Sequence, residues 1–340
     1  MNSDVIQFWQ TLPAAERREI FQEVAALSNL PASAVEKDWW VVHTLAIIYT
    51  TEIAPHTVFK GGTSLSKAWK LIDRFSEDID LALDRAFLGF NKEMTGSQVL
   101  KLRKQSHKYI STVFFPLLEK GFADAGFTGV QLQIGETVAT DQDPLVIAVV
   151  YESVVEPTAY LQPRVLIEIG SRSLREPFTE KQFSSLVGEY FEGKEFADAC
   201  ITVPTVNPER TFLEKVFLLH EEFQQPSDKV RVERKSRHLY DLEKLMGTPF
   251  AVTALADIAL YQHIVDHRRT VTPLRGIDYT HHAPDKIDPV PPSELLAAWE
   301  RDYKAMQESM LYNPSLPFAE LLNRIKELKK RINALKWGHQ

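Results

Sequence analysis

Phe59-Lys60-Gly61-Gly62-Thr63-Ser64-Leu65 and, shortly after it, Arg74-Phe75-Ser76-Glu77-Asp78-Ile79-Asp80-Leu81 are the stretches on which the reading of this chain turns. The β-prone run 57–60 leads into a glycine pair, then a helical segment over 64–72, then a second strand over 79–83. On a strand, residues two apart project from the same face, so Asp78 and Asp80 stand together while Ile79 packs behind them. Such a pair suits a hard divalent cation: Mg²⁺ takes oxygen ligands, usually one or two carboxylates completed by substrate phosphates and water. A D-x-D pair by itself is most often surface charge, and it is the preceding turn that gives it meaning. A strand, Gly61-Gly62 and a helix opening at Thr63-Ser64 make a turn whose backbone N–H groups can receive phosphate, with the Ser64 hydroxyl beside them. It is not a Walker loop, because G-x-x-x-x-G-K-[ST] is absent and Lys67 lies within the helix. The bland alternative is a tight turn that merely needs glycine torsions.

Outward from this centre, the first residues place Ile6, Phe8, Trp9, Ile20, Phe21 and Val24 at helical spacing, with Pro13 dividing two helices. Ser33 is expected to cap a third helix running through Trp39 to about residue 49. Beyond the carboxylate strand come a long helical segment over 96–125 and β-branched runs at 130–134, 145–151 and 164–169, giving about five strands in all. Within the last run Glu168 is a lone acid among apolar residues, a costly position unless paired or metal-bound. The other reading is an acid on the exposed face of an edge strand. From Pro208 the pattern is helical, over 209–223, 237–246, 251–267, 292–310 and 318–335. The predicted domains are therefore 1–206, with the N-terminal helices, and 207–340. The proline-rich stretch 273–292 reads as a long loop, ordered or partly mobile.

A length of 340 residues suits two domains, and 44% apolar with 25% charged residues is ordinary for a globular protein. Cys200 is the single cysteine, which excludes an intramolecular disulfide, a four-cysteine zinc site and an iron–sulfur cluster, and fits a reducing compartment. The first residues carry Asp4, Glu16, Arg17, Arg18 and Glu19 and do not form a secretory signal. The apolar run 41–49 is broken by His43 and Thr44 and is too short to span a bilayer. The expected location is the cytoplasm, with no membrane partner. A net charge of −7 argues against coating nucleic acid through overall positive charge, yet two basic patches stand out, 229–238 and 324–336. A charge run of this kind is commonly a solvated face. His263 and His267, with His281-His282 beyond, lack the H-E-x-x-H of a zinc helix, and no G-x-S-x-G supports a hydrolase.

The two quoted stretches resemble the first motif of the AbiEii/AbiGii toxin family of nucleotidyltransferases, which includes the MenT toxins. The later family motifs have counterparts in order: Glu168 as the third carboxylate, Pro208-Glu209-Arg210-Thr211-Phe212-Leu213-Glu214-Lys215, and Arg237-His238-Leu239-Tyr240-Asp241-Leu242. Arg237 and Asp241, four apart, either face one site or form an ordinary helical ion pair. The resemblance implies an α+β fold: a polymerase-β-type nucleotidyltransferase core, a short mixed sheet flanked by helices, with a helical C-terminal lobe. It implies an enzyme that takes a nucleoside triphosphate, releases pyrophosphate and transfers the nucleoside monophosphate to RNA, the 3′ end of tRNA. The biological role would be the toxin of a toxin–antitoxin or phage-defence system, with a cognate antitoxin as partner. In that reading Asp78, Asp80 and Glu168 hold Mg²⁺ or Mn²⁺, with Glu168 completing the metal set or acting as base. Asp78, Asp80, Glu168 and Asp241 form the catalytic set, and Gly61, Gly62, Thr63, Ser64 and Lys215 hold the triphosphate. The rival is a non-catalytic nucleotide-binding protein, or a transferase that modifies a protein.

Overall fold

The computed structural model describes residues 3–336, apart from 77, 92–93, 137–138, 140 and 157–160. The chain divides into two compact units, the first comprising Met1–Trp69 and Phe75–Val206, the second Lys70–Arg74 and Asn207–Gln340. The first is built on a mixed sheet and the second is helical, so the α+β architecture expected from the sequence is the observed one. No helix among the described residues is long and apolar enough to cross a membrane.

Among the described residues the sheet has seven strands: β1 (Thr57–Lys60), β2 (Asp78–Leu83), β3 (Val130–Ile134), β4 (Leu145–Tyr151), β5 (Arg164–Gly170), β6 (Phe178–Phe183) and β7 (Ile201–Val206). Their spatial order is β3-β4-β5-β2-β1-β7-β6. The β2–β5 and β1–β7 pairs are parallel and the remaining pairs antiparallel. The expectation of about five strands fell short by β6 and β7, for physical reasons. Four of the six residues of β6 are exposed and its sequence, FTEKQF, is mostly polar, while Pro204 interrupts the β pattern of β7. Since β5 lies inside the sheet, the edge-strand reading of Glu168 is excluded.

Period-two alternation gives the sheet two unlike faces. Phe59, Ile79, Leu81, Ile147, Val149, Ile167 and Ile169 belong to the main core. That face is covered by the helix Ala32–Ile48, which packs on β2, β5 and β7 and is buried along nearly its whole length. Trp39, Trp40, Val42 and Leu45 supply its apolar bulk, and its buried carboxylates are paired, Glu36 with the Ser153 hydroxyl and Asp38 with Lys67. The helix starts at Ala32 after Pro31, so Ser33 is not its cap; the Ser33 hydroxyl is buried without a hydrogen-bond partner. The opposite face carries Lys60, Asp78, Asp80, Leu166 and Glu168, all half-buried, beside a small cluster of Val58, Ala82 and Val206. The less covered face of the sheet is therefore the one that bears the carboxylates.

The segment expected as one helix over 96–125 is Gly96–Tyr109 and Phe115–Asp124 joined by a π-helical turn, Ile110–Phe114. In the second unit, helices Pro208–Phe223, Ser236–Met246, Leu296–Ser309 and Phe318–Asn333 fall near their expected places. The segment expected as one helix over 251–267 is two, Pro249–Ala256 and Ile258–Val271, because the Asp257 side chain accepts from the Leu260 N–H and caps the second. The stretch 273–292 is pinned loop. The Tyr261 hydroxyl donates to the His282 carbonyl (2.7 Å), His282 Nε2 lies 3.1 Å from Glu221 Oε1, and His220 Nδ1 accepts from the Asp288 N–H (3.0 Å).

Candidate active site

β1 delivers the chain into the glycine turn with Lys60 extended, and Gly61 then takes φ +81°, a left-handed conformation that favours glycine. A second constraint is sterically stronger: a Cβ on Gly61 would stand 1.9 Å from Asp80 Oδ2. The Asp80 carboxylate thus lies directly over the turn's backbone. Gly61–Thr63 begins a helical turn that continues as the π-helical turn Ser64–Ala68. The Thr63 hydroxyl donates to the Asp78 carbonyl (2.5 Å) and sits 2.9 Å from the Ser76 hydroxyl, which ties the turn to the start of β2. The fully buried Ser64 hydroxyl donates to the Gly61 carbonyl (2.9 Å). In this conformation both side chains brace the turn. Lys67, one turn on, is buried against Asp38 (2.8 Å), whose carboxylate also accepts from the Leu186 N–H (2.6 Å). Burial raises the Asp38 pKa against the pull of Lys67; the buried contact itself commits this cation to the fold.

Strand register assembles the acids. In the parallel β2–β5 pair Asp80 is opposite Glu168 and Asp78 opposite Leu166; in the antiparallel β1–β2 pair Lys60 is opposite Asp80. A row Lys60, Asp80, Glu168 therefore crosses three strands on one face, with Asp78 two residues along. Directly opposed like charges repel. Among the described residues no group of three or more His, Cys, Asp or Glu side chains is gathered closely enough to hold a metal ion. Three carboxylates on one face, without nitrogen or sulfur donors, are nonetheless the donor set of a hard divalent cation. Asp80, lying in space that a Cβ would fill, is set where its oxygen meets both the turn and the sheet face. The residues present match Mg²⁺ or Mn²⁺ in donor type.

The second unit holds its own ionic centre. Arg74 donates to Asp241 through Nε (2.6 Å) and Nη2 (2.9 Å), and Lys215 Nζ stands 2.8 Å from Asp241 Oδ2. Asp241 is fully buried; burial alone would raise its pKa, but Arg74 and Lys215 hold the carboxyl well below the usual carboxylate range. Burial lowers the Lys215 pKa while Asp241 opposes that shift, and the His238 Nδ1 lies 3.4 Å from its Nζ. Among the described residues Asp241 forms ion pairs with Arg74 and Lys215. The place of Arg74 had no signal in the sequence, since it and Asp241 are 167 residues apart. In the basic stretch 229–238, Arg231 is paired with Glu222 (2.6 Å) and the Arg234 N–H donates to Asp302 (2.6 Å).

A comparison with solved structures aligns the chain with MenT4, a nucleotidyltransferase toxin from Mycobacterium tuberculosis H37Rv, at 19% identity and a TM-score of 0.43, over 95% of this chain and 98% of that one. No curated protein matches the chain. Residues 44–324, however, match the family model described as nucleotidyl transferase AbiEii toxin, Type IV TA system. The chain belongs to the AbiEii family of nucleotidyltransferases, toxins of type IV toxin–antitoxin systems.

Proposed function

We propose that this nucleotidyltransferase moves a nucleoside monophosphate from a nucleoside triphosphate to an RNA acceptor, the 3′ end of tRNA, in a reaction dependent on Mg²⁺ or Mn²⁺. It would act in the cytoplasm, partnered by a cognate antitoxin, as the toxin of a toxin–antitoxin or phage-defence system. The observation that carries the chemistry is the register: Asp80 opposite Glu168, Asp78 on the same face, and Asp80 lying over Gly61. The tRNA acceptor rests on the family resemblance.

A divalent cation held by Asp78, Asp80 and Glu168 supplies neutralisation of triphosphate charge. The backbone of Gly61, Gly62, Thr63 and Ser64 orients the phosphates through its N–H groups. Lys215, held by Asp241, is proposed as a phosphate contact acting as a point charge. The acceptor hydroxyl forms a bond to the α-phosphorus as the bond to the bridging oxygen breaks, and pyrophosphate leaves with the electron pair. Glu168 either takes the acceptor's proton or completes the metal set, in which case the proton passes to solvent water.

The test is incubation of purified protein with each α-labelled triphosphate, Mg²⁺ and total RNA. Label should enter RNA with the parent protein and not with Asp80→Asn, which removes a metal carboxylate at constant volume. Label on protein instead of RNA, or transfer unaffected by Asp80→Asn, would overturn the reading.

A further inference from the structure

The helix Phe318–Asn333 buries Leu321, Leu322, Ile325, Leu328 and Ile332. Spacing of three and four residues turns Lys326, Lys329, Lys330 and Asn333 together to another face. This face forms one wall of a groove of about 650 Å³ inside the second unit. The other wall comes from Phe223 and Gln224 and from Val290, Pro291 and Pro292 at the end of the pinned loop.

We propose that this groove holds the sugar–phosphate backbone of a nucleic acid strand. The inference rests on the reading that the acceptor is RNA, and it names the surface that receives that acceptor. Charge is the first argument. The chain carries a net charge of −7, yet 324–336 holds six basic residues against one acid, Glu327. Lys329 is neutralised by Asp288 (2.5 Å), but Lys326 and Lys330 have no carboxylate partner among the described residues. Like charges four apart on a helix repel, and a bound anion relieves that repulsion. His220, which also lines the groove, has its pKa lowered to about 4 by burial and by His282, so at neutral pH the lysines are the cations of this wall.

The groove also has an apolar side. Phe223 is half-buried and braced by Trp299 at 5.1 Å, and with Val290, Pro291 and Pro292 it offers a surface for sugars and base faces. Cationic walls with aromatic surface are the means by which single strands are held. Gln224 accepts from the Asp278 N–H, and Asn333 donates to the Pro284 and Ile287 carbonyls. The amides that could read bases are committed to the fold, so the groove positions a strand without reading it.

The experiment measures binding of a labelled oligouridine RNA across a salt series for the parent, for Lys326→Gln with Lys330→Gln, and for a charge-matched control, Lys101→Gln with Lys108→Gln, on the helix Gly96–Tyr109. All four side chains are exposed, and melting curves confirm that each variant folds. The groove variant should bind more weakly, and its slope of log affinity against log salt should flatten by about 1.4, at about 0.7 per lost single-strand phosphate contact. The control should match the parent. Parent-like affinity and slope in the groove variant, equal losses in both variants, or tighter binding of polyglutamate than of RNA would each overturn the proposal. Failure of the acceptor reading is distinguishable: the parent itself would then bind no RNA even at low salt.

Discussion

The Asp80 carboxylate occupies the space in which any side chain on Gly61 would begin, with Oδ2 1.9 Å from the position of a Cβ. A metal-type carboxylate and a phosphate-type turn are therefore one packed unit. Gly61→Ala should displace Asp80 and lower transfer by about 100-fold or more, the scale expected when a reacting group is misplaced by about 1 Å. The left-handed backbone adds a folding cost of about 1–2 kcal/mol. Gly193, at φ +84° with nothing within 4 Å of its Cβ position, separates the effects. Gly193→Ala should show a similar loss in chemical denaturation with full transfer activity. Equal activity in the two variants would mean that the Gly61 contact does not position Asp80 for chemistry.

The register of β2 and β5 makes a distinct prediction for Glu168. Because it is opposite Asp80, its first role is expected to be as a metal ligand. Glu168→Gln should then raise the Mg²⁺ concentration needed for half-maximal transfer, with much of the lost rate recovered at saturating metal. A lower kcat at an unchanged Mg²⁺ requirement, with a shifted pH profile, would assign Glu168 to proton removal instead.

The glycine turn and the Asp78–Asp80 pair were legible because both are local: one needs a strand–Gly–helix pattern, the other a period of two. Glu168 was visible as an acid in an apolar run, but its position opposite Asp80 was not, since register depends on pairing strands far apart in sequence. The helix Ala32–Ile48 was legible as a helix, but that it lies across the sheet, buried along nearly its whole length, was not, since that packing joins segments remote in sequence. Polar β6 and proline-bearing β7 defeated strand signals that depend on composition. The Arg74–Asp241 pair and the pins on 273–292 join residues remote in sequence, and no spacing rule reaches them.

Asp241 offers a caution for mutagenesis that becomes a prediction. Asp241→Asn would leave Arg74 and Lys215 as neighbouring buried cations, and removal of one partner from a buried ionic cluster costs about 3–5 kcal/mol. Lys215→Met keeps the bidentate Arg74–Asp241 pair and should destabilise less. Urea denaturation should rank parent, Lys215→Met and Asp241→Asn in falling stability. If Asp241→Asn is as stable as the parent yet inactive, Asp241 acts in the chemistry beyond positioning Lys215 and Arg74.

His220 sets an acid limit on the second unit. It is 4% exposed, and burial, then the charge of nearby His282, lowers its pKa from 6.5 to about 4. Between those values the unfolded chain binds a proton that the folded chain does not, so acidification favours unfolding. The stabilising contribution is complete above pH 6.5 and is lost as pH falls toward 4, amounting to at most about 3 kcal/mol. Glu221 follows at lower pH. Burial raises its pKa, but hydrogen bonds from Arg268 and His282 outweigh that and hold it below its ordinary 4.5, so its contribution is lost only as pH falls below that value. Denaturation curves taken between about pH 7 and pH 4 should show stability falling across this window, with the fall reduced in His220→Gln. A parent and variant with the same pH slope would show that His220 does not titrate as its burial requires.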